Sequence, residues 1–170
     1  MKYLILIIVL NITMTTQAQD VFDASREGNI ERVKELYLQD SDTINAVDSK
    51  GFTPLILAAY NNNIVLVKFL LQNGSNVNAQ DLSGNSALMG VCFKGYTDIA
   101  KELIQKGAII NQQNFNDATA LIYASTFGHT EIVVALLHNN ADQTITDNRG
   151  NTALKHAEMQ GNLKIIKLLK

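Results

Sequence analysis

Apolar residues recur with helical spacing in short segments of this chain, and polar residues and glycines separate the segments. Two of these segments place their apolar residues on one helical face: Ile64, Val67, Leu70 and Leu71 in the first, and Ile99, Ala100, Leu103 and Ile104 in the second. The spacing is that of a helix rather than the strict alternation of a strand. The pattern therefore predicts short amphipathic helices.

A three-residue phrase precedes successive segments and recurs at a step of 33 residues. It reads Thr53-Pro54-Leu55, Ser86-Ala87-Leu88, Thr119-Ala120-Leu121 and Thr152-Ala153-Leu154. The hydroxyl of each first residue can accept a hydrogen bond from a free amide of the helix that follows, and Pro54 suits a first helical turn. A constant step of this length indicates a stacked unit of two helices, because one unit alone cannot bury its apolar face.

Residue types that tolerate a left-handed backbone keep the same step at three places in each unit. One set precedes the phrase, one marks the turn between the two helices, and one follows the second helix. The sets are Gly51, Gly84, Asp117 and Gly150; Asn62, Gly95, Gly128 and Gly161; and Gly74, Gly107 and Asn140. Asp48, Asp81, Asn114 and Asp147 complete the loop into the next unit. The predicted turns therefore keep the register of the predicted helices.

Over nearly everything after residue 18, the chain resembles the ankyrin-repeat proteins. Residues 53–59, followed by residues 67–71 and 74–78, are close to the consensus of that family. One departure is that the family usually carries His after the Pro-Leu pair, where this chain has Ile56, Met89, Ile122 and Lys155. The resemblance therefore implies turns that lack one bracing hydrogen bond and are looser than in an idealised array.

The expected fold is all-α, an ankyrin-repeat solenoid of about five stacked helix-turn-helix units joined by hairpin-like turns. The domain spans residues 19–170, with units near residues 20–51, 52–84, 85–117, 118–150 and 151–170. The first unit carries one extra residue between Tyr37 and Thr43, since Gly28 falls one residue early and Asp48 is back in register. In the last unit, Lys170 takes a position that is apolar in earlier units, and a polar outer surface is what an end unit needs.

Residues 1–18 have the pattern of a secretory signal peptide. Lys2 is followed by an apolar run from Tyr3 to Leu10, and Thr16-Gln17-Ala18 supplies the small residues that a signal peptidase reads. The run is shorter than the roughly 20 apolar residues of a transmembrane helix. We therefore expect cleavage and export to the periplasm, with the extracellular medium as the alternative destination and no stable membrane insertion afterwards. An uncleaved anchor is the other interpretation of the run.

The balance of charge argues against a nucleic-acid partner. The chain carries 14 basic and 16 acidic residues, and loss of Lys2 with the leader leaves 13 against 16, a net charge near −3. Nucleic-acid binding needs a clustered basic face. The lysines at positions 155, 164, 167 and 170 are better explained as a solvated end of the array.

Candidate chemistry is sparse, and we expect no catalytic residues, no metal site and no cofactor. His129, His138 and His156 are the only histidines, and none has a cysteine or acidic residue beside it at a metal-ligand spacing. His129 follows Gly128, where the family often has His, and is interpreted as structural. Cys92 is the only cysteine, and its place in a packed helix predicts a buried, inert thiol. The sequence thus predicts a protein that is not an enzyme.

A binding surface is implied by the family resemblance, because ankyrin repeats bind partners on a concave face of turn tips and first-helix ends. Six apolar residues of this chain fall on those positions: Phe52, Tyr60, Leu82, Phe93, Phe115 and Phe127. Aromatic residues are enriched among binding hot spots, so the set predicts one apolar stripe that contacts another protein. The alternative is that several of these rings, with Phe52 and Phe93 the foremost candidates, fold back over the turns.

The sequence predicts a small exported monomer that binds another protein and performs no chemistry of its own. Its similarity to short bacterial periplasmic ankyrin proteins implies an accessory role for an oxidative-stress enzyme such as catalase. The alternative is a secreted effector or enzyme inhibitor that acts outside the producing cell. The compartment in which the chain is found distinguishes these two hypotheses.

Overall fold

A computed structural model describes residues 20–170, so the predicted signal peptide at residues 1–18 lies outside the described residues. Helices follow one another in five pairs through this range. They are α1 (residues 20–27), α2 (Ile30–Gln39), α3 (Pro54–Tyr60), α4 (Ile64–Gln72), α5 (Ala87–Lys94), α6 (Thr97–Gln105), α7 (Ala120–Thr126), α8 (Thr130–His138), α9 (Ala153–Met159) and α10 (Leu163–Leu168). Residues 20–170 contain no strand, only isolated β-bridges. The predicted all-α fold is confirmed.

The recurring phrase begins helices in the predicted way. Thr53 Oγ1 accepts from the Ile56 amide at 3.2 Å, and Pro54 stands at the start of α3. Ser86, Thr119 and Thr152 make the same bond at 3.2–3.3 Å. Each bond satisfies one of the amides that the first turn of a helix leaves without a partner.

The left-handed positions are also confirmed at every predicted place, with φ between 58° and 92°. Three of them are not glycine: Asn62, Asp117 and Asn140. Asp117 occupies the turn position that holds glycine in the other units, at φ 58°. Asn and Asp adopt this conformation at lower cost than other residues with a Cβ, since their short polar side chains can bond locally.

The first compact unit extends to Ser75 and holds α1 to α4. Leu36, Leu66 and Leu70 form part of its core. A 3-10 helix, Ser41–Asn45, takes up the extra residue that the sequence placed between Tyr37 and Thr43. Ile44 of this segment is buried, and its carbonyl accepts from Ser75 Oγ at 3.3 Å.

The second compact unit begins at Asn76 and holds α5 to α10. Within it the first helices of each pair, α5, α7 and α9, pack in one row, and the second helices, α6, α8 and α10, pack in another. The buried leucines belong to both rows: Leu88, Leu103, Leu121 and Leu136. Because each helix is covered by its counterparts in neighbouring pairs, stacking supplies the core.

Candidate protein-binding surface

Three turns of the second compact unit, residues 81–85, 114–118 and 147–151, have the same internal hydrogen bonds. From here on, the first and second units are the two compact units, and the stacked helix pairs are called repeats. A side-chain Oδ1 at the first position accepts two backbone amides, those two and four residues later. Asp81 accepts from Ser83 and Asn85 at 2.8 Å, Asn114 from Asn116 and Ala118 at 2.9 and 3.0 Å, and Asp147 from Arg149 and Asn151 at 3.0 and 2.9 Å. This arrangement holds the turn tips in a defined conformation.

Neighbouring turn tips of the second unit are joined by backbone hydrogen bonds. The Phe115 amide donates to the Ser83 carbonyl at 3.1 Å, and the Asn148 amide donates to the Asn116 carbonyl at 2.9 Å. Asn148 Nδ2 also donates to Asn116 Oδ1 at 3.2 Å. The tips therefore form one continuous ladder, which fixes the spacing of the side chains they present.

The remaining side-chain atom of each turn anchor has a different partner in each turn. Asn114 Nδ2 donates to Asn85 Oδ1 at 2.7 Å and to the Tyr123 hydroxyl at 3.0 Å. Asp147 Oδ2 instead lies 2.8 Å from His156 Nε2. Burial opposes ionisation of Asp147, but hydrogen bonds from Asn151, His156 and Arg149 outweigh it and hold the pKa of this carboxyl below its usual value. The anchor of the turn that precedes α9 is therefore a carboxylate whose charge its surroundings stabilise.

Three rings form what we call the aromatic cluster: Phe93, Tyr123 and Phe127. Phe93 lies in the last turn of α5, edge-on to Phe127, with 4.5 Å between ring centroids and 70° between ring planes. It also lies edge-on to Tyr123, at 6.3 Å and 83°. These are the offset and edge arrangements that aromatic pairs favour. Because Tyr123 bonds to Asn114, the cluster is continuous with the base of the 114–118 turn.

The four predicted contact residues of the second unit are exposed. Phe93 and Phe127, despite packing on each other, keep 38% and 47% of their surface accessible. Leu82 and Phe115 on the turn tips are 70% and 74% exposed. Phe115 lies over Gly84, where an added Cβ would come within 2.9 Å of its ring and 2.8 Å of its amide nitrogen. Phe93 therefore stays accessible, as the predicted stripe requires, and the alternative that its ring folds back over the turns does not hold, although the ring has intramolecular partners.

The two predicted residues of the first unit behave differently from each other. Tyr60, at the end of α3, is exposed, as the sequence predicts. Phe52 is half-buried and departs from the predicted exposed stripe. Its backbone is tied to the turn anchor, because the Phe52 amide donates to Asp48 Oδ1 at 2.9 Å and the Phe52 carbonyl accepts from the Asp48 amide at 3.0 Å. The equivalent Asn85, Ala118 and Asn151 are also half-buried or buried.

Tyr123 is a member of the cluster that the sequence did not single out. Its position in the first helix of a pair is Leu57, Gly90 or His156 in other repeats, so the step of 33 residues gave no consistent signal there. The sequence signal for Tyr123 lies in its hydrogen-bond partner, Asn114. This residue occupies a position that holds aspartate in the other repeats, at Asp48, Asp81 and Asp147. An amide at that anchor can donate to a phenol, which a carboxylate cannot do.

Other candidate chemistry in the described chain is limited. Cys92 is fully buried in α5, and burial raises the pKa of its thiol, as expected for an inert cysteine. Among residues 20–170 no group of three or more His, Cys, Asp or Glu side chains could hold a metal ion. No helix in the same range has the length and apolar character needed to span a bilayer.

Comparison with known proteins identifies the family. A model of ankyrin repeats in three copies matches residues 21–114 and again residues 88–170. The chain is 48% identical over 48 residues to ankyrin repeat domain-containing protein 49 of Drosophila melanogaster, which covers 28% of this chain and 22% of that protein. It is 40% identical over 52 residues to ankyrin repeat and SAM domain-containing protein 6 of Rattus norvegicus, covering 31% of this chain and 6% of the relative. The chain thus spans less than a quarter of the length of these relatives. Proteins built from such repeats generally serve as interaction modules without catalysis, and this chain belongs to the ankyrin-repeat family.

Proposed function

We propose that this chain binds another protein through the aromatic cluster and the adjoining turn tips of its second unit. The observation that carries the proposal is that Phe93 and Phe127 are held edge-on at 4.5 Å and still present much of their surface to solvent. Rings already fixed by packing lose little conformational freedom on binding, which favours them as anchors. Leu82 and Phe115 extend the apolar surface to the turn tips.

The hydrogen-bonded ladder of turn tips supports the same proposal. In each turn, two backbone amides donate hydrogen bonds to the anchor side chain, and backbone hydrogen bonds join neighbouring turn tips. A partner therefore meets a surface that needs little reorganisation, so less of the contact energy is spent on ordering it. Specificity then depends on the side chains that differ from turn to turn.

Export is part of the proposal and rests on residues 1–18. The charged, apolar and small-residue regions of that segment have the order found in signal peptides. Within this proposal the chain acts in the periplasm as an accessory to an enzyme such as catalase. Cell fractionation with determination of the mature N-terminus tests the location: we expect a chain that begins at Gln19 in the periplasmic fraction, and an intact Met1 in the cytoplasm contradicts it.

The binding surface is tested with a triple variant, Phe93→Ser, Phe115→Ser and Phe127→Ser. The wild-type chain and the variant are immobilised, and retained proteins from extract of the native organism are identified. If each ring is an anchor worth about 2 kcal/mol, retention of a true partner falls by more than about thirtyfold. Far-UV circular dichroism of the variant should be unchanged, because the three residues are exposed.

A matched control removes as much exposed apolar surface elsewhere. Leu38, Val65 and Leu163 are all exposed and lie on α2, α4 and α10 rather than on the turns or first-helix ends. The variant Leu38→Ser, Val65→Ser, Leu163→Ser should retain the partner as the wild type does. Equal retention by both triple variants and the wild type contradicts the proposed surface, and so does equal loss in both variants.

A further inference from the structure

His129 precedes α8, and its side chain does not cap that helix. Its Nε2 instead lies 3.2 Å from the carbonyl oxygen of Phe93, at the end of α5. The ring covers Gly95, so closely that a Cβ at Gly95 would come within 2.5 Å of His129 Cε1. Gly95 also has φ +83°, so both the backbone conformation and the ring contact require glycine there.

At the same position in two other repeats, the side-chain amide of an asparagine also contacts a backbone carbonyl of the preceding helix pair. Asn162 Nδ2 donates to the Ser125 carbonyl at 3.0 Å, and Asn63 Nδ2 approaches the Ser25 and Arg26 carbonyls at 3.4 and 3.5 Å. In each case the side chain reaches a carbonyl near the end of the first helix of the preceding pair. These carbonyls have no partner within their own helix. The distinction of His129 is that its acceptor belongs to a residue of the aromatic cluster.

Both rings of the Phe93–Phe127 pair are linked to the segment that ends at His129. Phe127 lies two residues before His129 in the chain, and Phe93 is bonded to His129 through its carbonyl. The bond therefore fixes the end of α5 relative to the end of α7, which is the geometry that sets the 4.5 Å contact between the two rings. Loss of the bond leaves the last turn of α5, which contains Phe93, free to fray.

We infer that His129 is the positioning residue of the aromatic cluster, holding Phe93 in its binding orientation through the bond to the Phe93 carbonyl. This inference rests on the proposed function. It assigns to His129 a role in recognition beyond general stacking of repeats. Because Asn63 reaches the carbonyl of Arg26, which occupies the position equivalent to Phe93, Asn at position 129 should preserve the role and Ala should not.

The first test is spectroscopic and needs no partner. The nuclear Overhauser contact between the Phe93 and Phe127 rings is measured by NMR in the wild type, His129→Ala, His129→Asn and Asn63→Ala. We expect the contact to weaken markedly in His129→Ala and to persist in His129→Asn. Asn63→Ala is the matched control, because it removes the equivalent bond outside the second unit. An undiminished ring contact in His129→Ala overturns the inference, and so does equal loss in Asn63→Ala.

The second test measures binding of a defined probe. The probe is a synthetic dodecapeptide selected from a displayed random library on the wild-type chain, and kept if the variant Phe93→Ser, Phe127→Ser binds it at least roughly tenfold more weakly. Loss of one positioning hydrogen bond should raise its dissociation constant about five- to tenfold in His129→Ala. His129→Asn and Asn63→Ala should bind it like the wild type. Equal weakening in Asn63→Ala or His129→Asn overturns the assigned role.

The two proposals fail in different ways. If no library peptide depends on Phe93 and Phe127, the proposed binding surface is wrong, and the ring contact in the first test still decides the role of His129. If peptides depend on the two rings but bind His129→Ala unchanged, the surface stands and the positioning role is wrong.

Discussion

Two helix pairs, one in each compact unit, use the same repeat position for different purposes. At the end of α1 the first unit has Arg26, which bonds to Asp23 at 2.7 Å and to Asp48 at 3.0 Å. The second unit has Phe93 at the equivalent position, where it joins the aromatic cluster. One backbone pattern therefore supports a charged, internally paired surface in one place and an apolar, accessible surface in another.

The turn anchors differ in the same way. Asp48 in the first unit is paired with a permanent cation, whereas Asn114 in the second unit bonds to the neutral groups of Asn85 and Tyr123. Ion pairs near the surface are weakened by salt, and neutral hydrogen bonds are not. The comparison teaches that the repeat scaffold sets where side chains are placed, while the side chains decide whether a place stabilises the fold or recognises a partner.

The largest predicted effect tests whether the two units share an equivalent core. Leu70 in α4 and Leu103 in α6 are 33 positions apart and fully buried. Leu70→Ala and Leu103→Ala should each lower the free energy of unfolding by about 3 kcal/mol, because each leaves a cavity. Urea unfolding followed by circular dichroism measures this, with exposed Leu38→Ala as a near-neutral control. Losses that differ by more than about 2 kcal/mol between the buried variants contradict an equivalent scaffold.

The next prediction separates the charged turn from the neutral one. Arg26→Ala should cost about 0.5–1 kcal/mol at low salt, and the loss should shrink in about 1 M sodium chloride as screening weakens the ion pairs. Tyr123→Phe removes the hydroxyl bonded to Asn114 and should cost about 1 kcal/mol at either salt concentration. Thermal or urea unfolding at the two concentrations checks both. A Tyr123→Phe loss that disappears in salt contradicts the neutral character of the second turn.

A smaller effect is expected in acid, at Asp147. Because its folded-state pKa is lowered from the usual 3.8, its contribution to stability is present above that value and is lost as the pH falls through the folded-state pKa. Asp147→Asn should therefore flatten the acid limb of a plot of unfolding free energy against pH. Asp117→Asn, an exposed carboxylate of another turn, is the comparison variant. An acid limb that stays equally steep in Asp147→Asn contradicts this assignment.

The smallest prediction concerns Asp117. Its φ of 58° places a residue with a Cβ where Gly51, Gly84 and Gly150 serve in the other turns. Asp117→Gly relieves the left-handed strain but makes the unfolded chain more flexible, so we expect a gain of only a few tenths of a kcal/mol. A difference in melting temperature between the two chains measures it. A clear loss of stability shows instead that the Asp117 side chain contributes to the turn.

Local features were predictable because local chemistry causes them. The helix caps at Thr53, Ser86, Thr119 and Thr152 and the left-handed residues all follow from residue type at a fixed step, and the structure confirms them. The role of Tyr123 was only partly predictable in this way, since Asn114 signals its hydrogen bond, whereas Phe93, the ring that it packs against, lies 30 residues away. Phe52 shows the same limit, because the sequence left open whether its ring joins the exposed stripe or folds over the turn, and the structure shows it half-buried.

The sequence by itself determined that this chain is a stacked helical array of the ankyrin type. Each repeat of 33 residues contains its own helix caps, turn residues and apolar helix faces, which depend on local residue type. Only the tertiary structure decided which apolar residues form a surface. Phe93 and Phe127 meet because stacking brings the ends of α5 and α7 together, and His129 links them across the same junction. Accessibility of a side chain depends on neighbours that are distant in the chain, so it emerges only when the repeats are packed.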